Sequence, residues 1–349
     1  MKFKSRKDIL FQLLEFSLIV VLIGAVLFRV FSNGIENYNF MWNDLFLGSS
    51  TGFRAPTLHQ SHVTLSQYII VAGSSEPLLQ GTLANDNPAV QALGVPSLTH
   101  EISKNLSAGL TYKFNSNFSA SVDFYQIKVD DRVLFSSQIG SDGDNTTTNP
   151  VEQILQDNNV VAVQVFINAG DTKTTGADVV LNYRNIEMGE GKLHASLAAN
   201  FNKTTIDAIN TPKTIADAGY DIFDRQEQGL ITNSRPRSKM ALGLNYVGDT
   251  WDLSLNNTRF GEVTVTAPAS GGTDQTLAAK ISTDLGFGYK LTDKITFNAN
   301  INNIFDVYPD VTLASTNTAQ AGSRFMYSSE VQQIGQLGTN YTVGINYQF

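Results

Sequence analysis

From Tyr341 to Phe349 the chain alternates without exception: Tyr341, Val343, Ile345, Tyr347 and Phe349 are apolar or aromatic, and Thr342, Gly344, Asn346 and Gln348 between them are small or polar. Successive side chains of a strand point to opposite faces, so this stretch presents one oily face and one wet face. Aromatic residues sit near both ends of the oily row. That is the pattern of a strand in a membrane barrel, with interfacial girdles above and below a hydrocarbon-facing band.

The same period recurs upstream. Leu106, Ala108, Leu110, Tyr112 and Phe114 alternate with Ser107, Gly109, Thr111 and Lys113, and Phe118, Ala120, Val122 and Phe124 follow a turn at Asn115–Asn117. Leu193 to Phe201, Met240 to Tyr246, Trp251 to Leu255, Ile281 to Tyr289 and Ile295 to Ile301 repeat it. These runs, separated by short polar breaks, predict hairpins. A soluble sandwich also alternates, but its polar face would carry more charge than these rows of Asn, Thr, Ser and Gly. With 16% charged and 42% hydrophobic residues and a mean hydropathy of -0.10, the chain is far less oily than a helical membrane protein. A net charge of -8 argues against nucleic acid as a partner. The absence of cysteine removes disulfides and thiolate metal sites.

Placing Phe349 on the periplasmic side orients the strands, because short turns belong to that side and long loops to the outside. Asn115–Asn117, Asn185–Gly191, Gly248–Asp249 and Leu291–Asp293 become inner turns. The stretches near 54–104, 131–160, 206–234, 263–276 and 306–338 become external loops, and Val161 to Arg184 is expected to form one long descending strand. With a strand around Phe46 to Phe53, the expectation is all-β: an antiparallel transmembrane barrel of about ten strands, an even number as such barrels prefer. Loops beyond about 15 residues are usually functional or disordered, so the external loops are where a ligand would be met.

Several segments add a resemblance. Ser50-Thr51-Gly52-Phe53-Arg54-Ala55-Pro56-Thr57-Leu58, Pro96-Ser97-Leu98-Thr99-His100-Glu101, Asp130-Asp131-Arg132-Val133, Asn168-Ala169-Gly170 with Thr175-Gly176-Ala177-Asp178, Phe223-Asp224-Arg225-Gln226-Glu227, and Asn302-Asn303-Ile304-Phe305-Asp306 with Tyr308-Pro309 occur in that order. Together they resemble the C-terminal barrel half of TonB-dependent outer-membrane receptors over roughly residues 46–349. The resemblance implies an outer-membrane location and energy-coupled uptake of a scarce nutrient such as a siderophore, cobalamin or glycan. It implies as partners outer-membrane lipid and lipopolysaccharide, the barrel assembly machinery through Phe349, and the TonB complex if another chain supplies a plug. Barrels of this family have about 22 strands around a plug. About ten strands, with no plug and no TonB box, are therefore expected to form an open or partial barrel, a fragment or a fused gene product; a passive porin-like barrel is the alternative reading.

The N-terminus reads differently. Residues 1–8 are basic, 9–31 form a mostly apolar run that fits either a membrane helix or a signal peptide, and 32–45 are a linker to the barrel of residues 46–349. Inner-membrane retention through the helix is one expectation. Candidate chemistry is sparse. His59 and His62, with His100 further on, have ligand spacing without a nearby carboxylate and read as loop residues. Asp142, Asp144 and Asn145 have calcium-like spacing but lack the closing glutamate of a calcium hand. Arg235, Arg237 and Lys239 fall opposite Met240, Leu242 and Leu244, where they would either attract an anionic ligand or pair with Asp and Glu of neighbouring strands. Arg54, Glu101, Asp131 and Arg132 are expected to serve folding or loop anchoring. No Gly-x-Ser-x-Gly and no Asp/His constellation at a shared strand end supports an enzyme. No residue is assigned to catalysis, a cofactor, a metal or a ligand.

The two faces of the last strand make opposite predictions. Val343→Arg should cost about 2 to 4 kcal/mol if it lies near the bilayer midplane, whereas Asn346→Arg should be tolerated. Folding titrations in lipid vesicles measure both, and equal penalties would show the faces to be misassigned.

Overall fold

The computed structural model describes residues 42–69, 77–140, 149–267, 272–316 and 326–349. The expectations for residues 1–8 and 9–31, most of the linker 32–45, and the Asp142/Asp144/Asn145 spacing lie outside those residues. Among the described residues no helix is long and apolar enough to cross a membrane. The architecture is strands.

Ten of them form one continuous antiparallel sheet: β1 (Trp42–Arg54), β4 (Glu101–Lys113), β5 (Phe118–Phe135), β8 (Phe166–Met188), β9 (Gly191–Ile209), β10 (Ser238–Val247), β11 (Trp251–Phe260), β14 (Lys280–Thr292), β15 (Ile295–Asn302) and β16 (Asn340–Tyr347). Each pairs with the next, and β1 and β16 are the two open edges, so the sheet does not close on itself. The expected ten strands and the open barrel are both present.

Register carries the two-residue period from strand to strand. Leu110, Val122, Val179, Ala199 and Met240 are successive cross-strand partners, so one face stays apolar across these five strands before the row meets Arg259 on β11. That face is uncovered: Phe124 is 59% exposed, Val343 66% and Ile345 68%, values that water would not favour and hydrocarbon does. Its turn end is aromatic. Phe114 lies 4.5 Å from Tyr112 and 4.5 Å from Phe118, and Phe118 lies 5.7 Å from Tyr183. Tyr246–Trp251 at 4.6 Å and Tyr347–Phe349 at 5.1 Å continue the row, as an interfacial girdle requires. The opposite face is amide-rich. Asn200 donates to Asp178 at 2.6 Å and to the Tyr125 hydroxyl at 3.1 Å, and Asn202 donates to Asn200 at 2.6 Å. Gly176 is opposite Tyr125, and the ring lies where a Cβ would stand.

Three boundaries differ from the sequence expectation. Val161 to Arg184 is not one strand: β7 (Val160–Gln164) belongs to a second sheet, and β8 starts at Phe166. Val165 between them is fully buried and exchanges hydrogen bonds with Ser136, its N–H to Oγ at 2.9 Å and its carbonyl from the Ser136 N–H at 2.8 Å. Asn185 does not open a turn. It is a left-handed residue (φ 55) at a bulge in β8, and the strand continues to Met188 before turning at Gly189. β14 likewise runs to Thr292, past the expected turn start at Leu291.

The strands differ in height. β5, β8 and β9 have 18, 23 and 19 residues, where about 9 to 11 suffice to cross hydrocarbon. Their outer ends stand above the membrane and meet the loops. There the chain forms a second, four-stranded sheet in the order β2 (Leu65–Ile69), β3 (Leu78–Thr82), β7, β6 (Ile139–Gly140), with β3 and β7 parallel. A short helix α1 (Leu58–His62) precedes it, and the helices α2 (Pro88–Ala92), α3 (Pro150–Asp157) and α4 (Lys213–Asp217) pack around it. Helix α3 shows why they form: Asn149 caps the Val151 N–H at 3.0 Å, Pro150 takes the first helical position, and Val151 and Leu155 share one buried face. Leu93, Leu155, Ile167, Ile215 and Phe223 are among its fully buried core residues. The main hydrophobic core of the described residues thus lies in the external loops, not between barrel strands.

Leu155→Ala should therefore remove about 2 to 5 kcal/mol from the loop layer while leaving the barrel intact. Hydrogen exchange should show faster opening in residues 77–100 and 149–165 with unchanged protection in β10, β11, β14, β15 and β16; uniform loosening of both regions would contradict two separate packing units.

Candidate functional site

The long strands meet the loop layer at a polar rim built from the motif residues. Arg54 at the end of β1 grips Glu101 at the start of β4 with two hydrogen bonds, Nε to Oε2 at 2.8 Å and Nη2 to Oε1 at 2.5 Å. Glu101 Oε1 also accepts the Val133 N–H of β5 at 2.8 Å. One carboxylate thereby ties three strands. Two residues earlier, Asp131 adopts a left-handed backbone (φ 54) where β5 and β8 shift register, a bulge of the kind that re-aims a strand. The bulge is held from both sides. Asp171 Oδ1 accepts the Asp131 N–H at 3.0 Å, and Asn168 Nδ2 donates to the Asp131 carbonyl at 2.7 Å.

Asn168 extends the rim to the loop before β4: its amide exchanges hydrogen bonds with the Thr99 backbone at 2.8 and 3.1 Å. Arg132 reaches Thr172 at 3.2 Å. Sequence reading named Arg54, Glu101, Asp131 and Arg132 but gave no role to Asn168 or Asp171. The Asn168-Ala169-Gly170 motif was the available signal for the first.

A second junction forms at the other end of the sheet. Asn303 (φ 52) accepts the Val307 N–H at 2.9 Å and donates to its carbonyl at 2.8 Å. Thr339, just before β16, donates its hydroxyl to the Asn303 carbonyl at 2.7 Å and its N–H to Asp306 at 3.0 Å. Between the two junctions lies helix α5 (Arg225–Thr232), which Asp224 caps by accepting from Gln226 and Glu227. Arg225 reaches Asp274 at 3.0 Å and the Ala267 carbonyl at 2.9 Å. Burial, with Asp224 and Glu330 nearby, pushes the Glu227 carboxyl up to about 7.

The remaining candidates are dispersed. His59 and His62 lie on α1; the His59 ring stands edge-on to Phe166 at 6.2 Å, and His100 stands edge-on to Phe53 at 6.3 Å. Among the described residues, no group of three or more His, Cys, Asp or Glu gathers as metal ligands would. Arg235 and Arg237 precede β10 rather than lying on it, Arg237 donating to the Asn233 amide at 2.8 Å. Lys239 sits over the Phe260 ring at 5.1 Å. The partners seen for Arg237 and Lys239 are thus a neutral amide and a ring.

The family described as TonB dependent receptor-like, beta-barrel matches this chain over residues 32–304. Among solved structures, the chain is similar to the ferric enterobactin receptor of Pseudomonas aeruginosa. A mutant of it in complex with enterobactin is 16% identical with a TM-score of 0.55, the match covering 87% of this chain and 38% of that one. A second mutant is 15% identical with a TM-score of 0.53 over the same shares. The FrpB iron transporter of Neisseria meningitidis is 15% identical with a TM-score of 0.47, covering 73% of this chain and 32% of that one. The chain thus spans about a third of the length of these proteins. No curated protein matches it.

The Arg54–Glu101 pair is unequally exposed, at 49% and 9% of side-chain surface. Arg54→Ala should leave a nearly buried carboxylate without its cation, at about 2 to 3 kcal/mol, less than for a fully buried pair. Arg54→Lys should recover part of that loss, since lysine cannot match the two-point grip. Urea titration of the folded protein in detergent micelles measures both; a neutral Arg54→Ala would reduce the pair to a surface contact.

Proposed function

This chain belongs to the TonB-dependent receptor-like β-barrel family, and we propose on that footing that it serves energy-coupled uptake of a scarce nutrient across the outer membrane. Its ten-stranded sheet forms lipid-facing wall, and its external layer captures the ligand. The observation that carries this reading is the folded loop layer. The loops do more than connect strands: they enclose their own apolar core and are fastened to strand ends by the Glu101 and Asn168 junctions. Ordering loops in this way has a large conformational cost, which a preformed capture surface justifies by reducing the ordering needed on binding. The similar enterobactin receptor favours a chelated nutrient or another small molecule as ligand. In this reading a plug domain connects the barrel to the TonB complex, and lipopolysaccharide surrounds the outer rim.

In cells carrying the protein, accumulation of labelled ferric enterobactin, cobalamin or maltoheptaose is the readout. Uptake of one of these probes should stop when a protonophore collapses the inner-membrane gradient. Protonophore-insensitive entry together with steady single-channel conductance in planar bilayers would instead identify a passive pore.

A further inference from the structure

Three strands of the loop sheet and the residue leading into the fourth bring glutamine to one cleft. Gln67 on β2 is the cross-strand partner of Gln80 on β3, Thr82 is the partner of Gln164 on β7, and Gln138 immediately precedes β6. With Ser66 these side chains line a cavity of about 360 Å³, within the range of small-molecule sites. Among the described residues its lining contains no Asp, Glu, Lys, Arg or His. In a chain of net charge -8, a cleft of four amides and no ionisable group is a specific chemical surface.

We propose that this cleft binds a neutral polyhydroxylated ligand, a saccharide; the proposal rests on the capture role assigned to the loop layer. Each glutamine amide offers two N–H donors and a carbonyl acceptor, and each sugar hydroxyl both donates and accepts, so the two sets pair without charge. Gln164 uses one donor on the Ser136 carbonyl at 3.2 Å, which fixes its head. The side chains of Gln67, Gln80 and Gln138 make no hydrogen bond among the described residues and are free to engage a ligand. Leu65, also in the lining and 75% exposed, supplies an apolar surface for the C–H face of a pyranose ring. The floor is kept low by Ala162, the small cross-strand partner of Gln80. An anionic ferric chelate or a phosphate would find no cation here, and tight anion recognition relies on charge-assisted bonds.

The test uses the purified full chain in detergent on an array that presents neutral oligosaccharides beside sulfated forms of the same glycans. The expected result is retention on neutral glycans that is unchanged between about 50 and 500 mM salt, since no ion pair is screened. A Gln67→Ala/Gln80→Ala double variant, which removes no hydrogen bond among the described residues, should bind about tenfold more weakly, as loss of two neutral hydrogen bonds to the ligand predicts. Gln80→Glu, which keeps the size and adds charge, should also weaken binding. Unchanged urea midpoints would show both variants to be folded. Absence of retention on every neutral glycan, preference for the sulfated forms, or equal binding by the double variant would overturn the proposal. Failure of the uptake reading looks different: sugar is held by the cleft but never accumulates in energised cells.

Discussion

Hydrocarbon offers a peptide group no hydrogen-bond partner, so each N–H and C=O at membrane depth must be satisfied within the protein. The rest of this structure follows from that requirement. Antiparallel ladders running from β1 to β16 meet it strand by strand, and once the ladder exists the two-residue period decides what each face touches. Leu, Val and Phe fall on one side, and Asn, Ser, Asp and Gly on the other, because register preserves the alternation across every pair. The outward rows are exposed because lipid, not protein, is their packing partner. At the two edges the ladder stops, and the same requirement calls for further strands or another surface at β1 and β16.

Apolar burial is consequently displaced. In a soluble protein the sheet itself would be the core; here the most deeply buried side chains, including Phe223, Leu155 and Ile215, belong to the external layer. A satellite cluster of Val263, Val265, Leu277 and Val331 packs beneath the hairpin formed by Val263–Val265 and Gln275–Leu277. Loops with their own cores behave as small domains mounted on a rigid rim. They can be reshaped without disturbing the wall, and that is how one barrel can serve different ligands.

Much of the wall was legible in the sequence because its signal is local. The hairpin at Asn115–Asn117 and the run ending at Phe349 each carry their period within a few residues, and strand number and openness followed. The loop sheet was not legible. Val161 to Arg184 reads as one long strand, and nothing near Val165 announces that its hydrogen bonds go to Ser136. The parallel pairing of Leu78–Thr82 with Val160–Gln164 joins segments some eighty positions apart, a contact that periodicity cannot encode. Asn185 misled for a different reason: a left-handed Asn serves a bulge as readily as a turn. The glutamine cleft draws one side chain from each of four short segments, so no motif marks it. The rim motifs are visible as a pattern, but their meaning lies in contacts between distant segments. Asn168 matters because its amide meets Thr99 and Asp131 at once.

Where the oil stops is also fixed by side chains. On the outward row of β11, Leu253 and Leu255 are followed by Asn257, which donates to Thr283 of β14 at 2.7 Å, while Leu285 and Phe287 continue the apolar row below. Two polar groups that satisfy each other can sit at the edge of the hydrocarbon but would be wasteful in its middle. The Arg54–Glu101 pair and the Asn303–Thr339 junction likewise lie at outer strand ends, where charge and left-handed backbone are affordable because water is near. The upper limit of the membrane band and the anchorage of the loop layer therefore share one cause. Polar groups barred from the hydrocarbon accumulate just above it, and there they hold the strand ends at the spacing on which the loop layer is built.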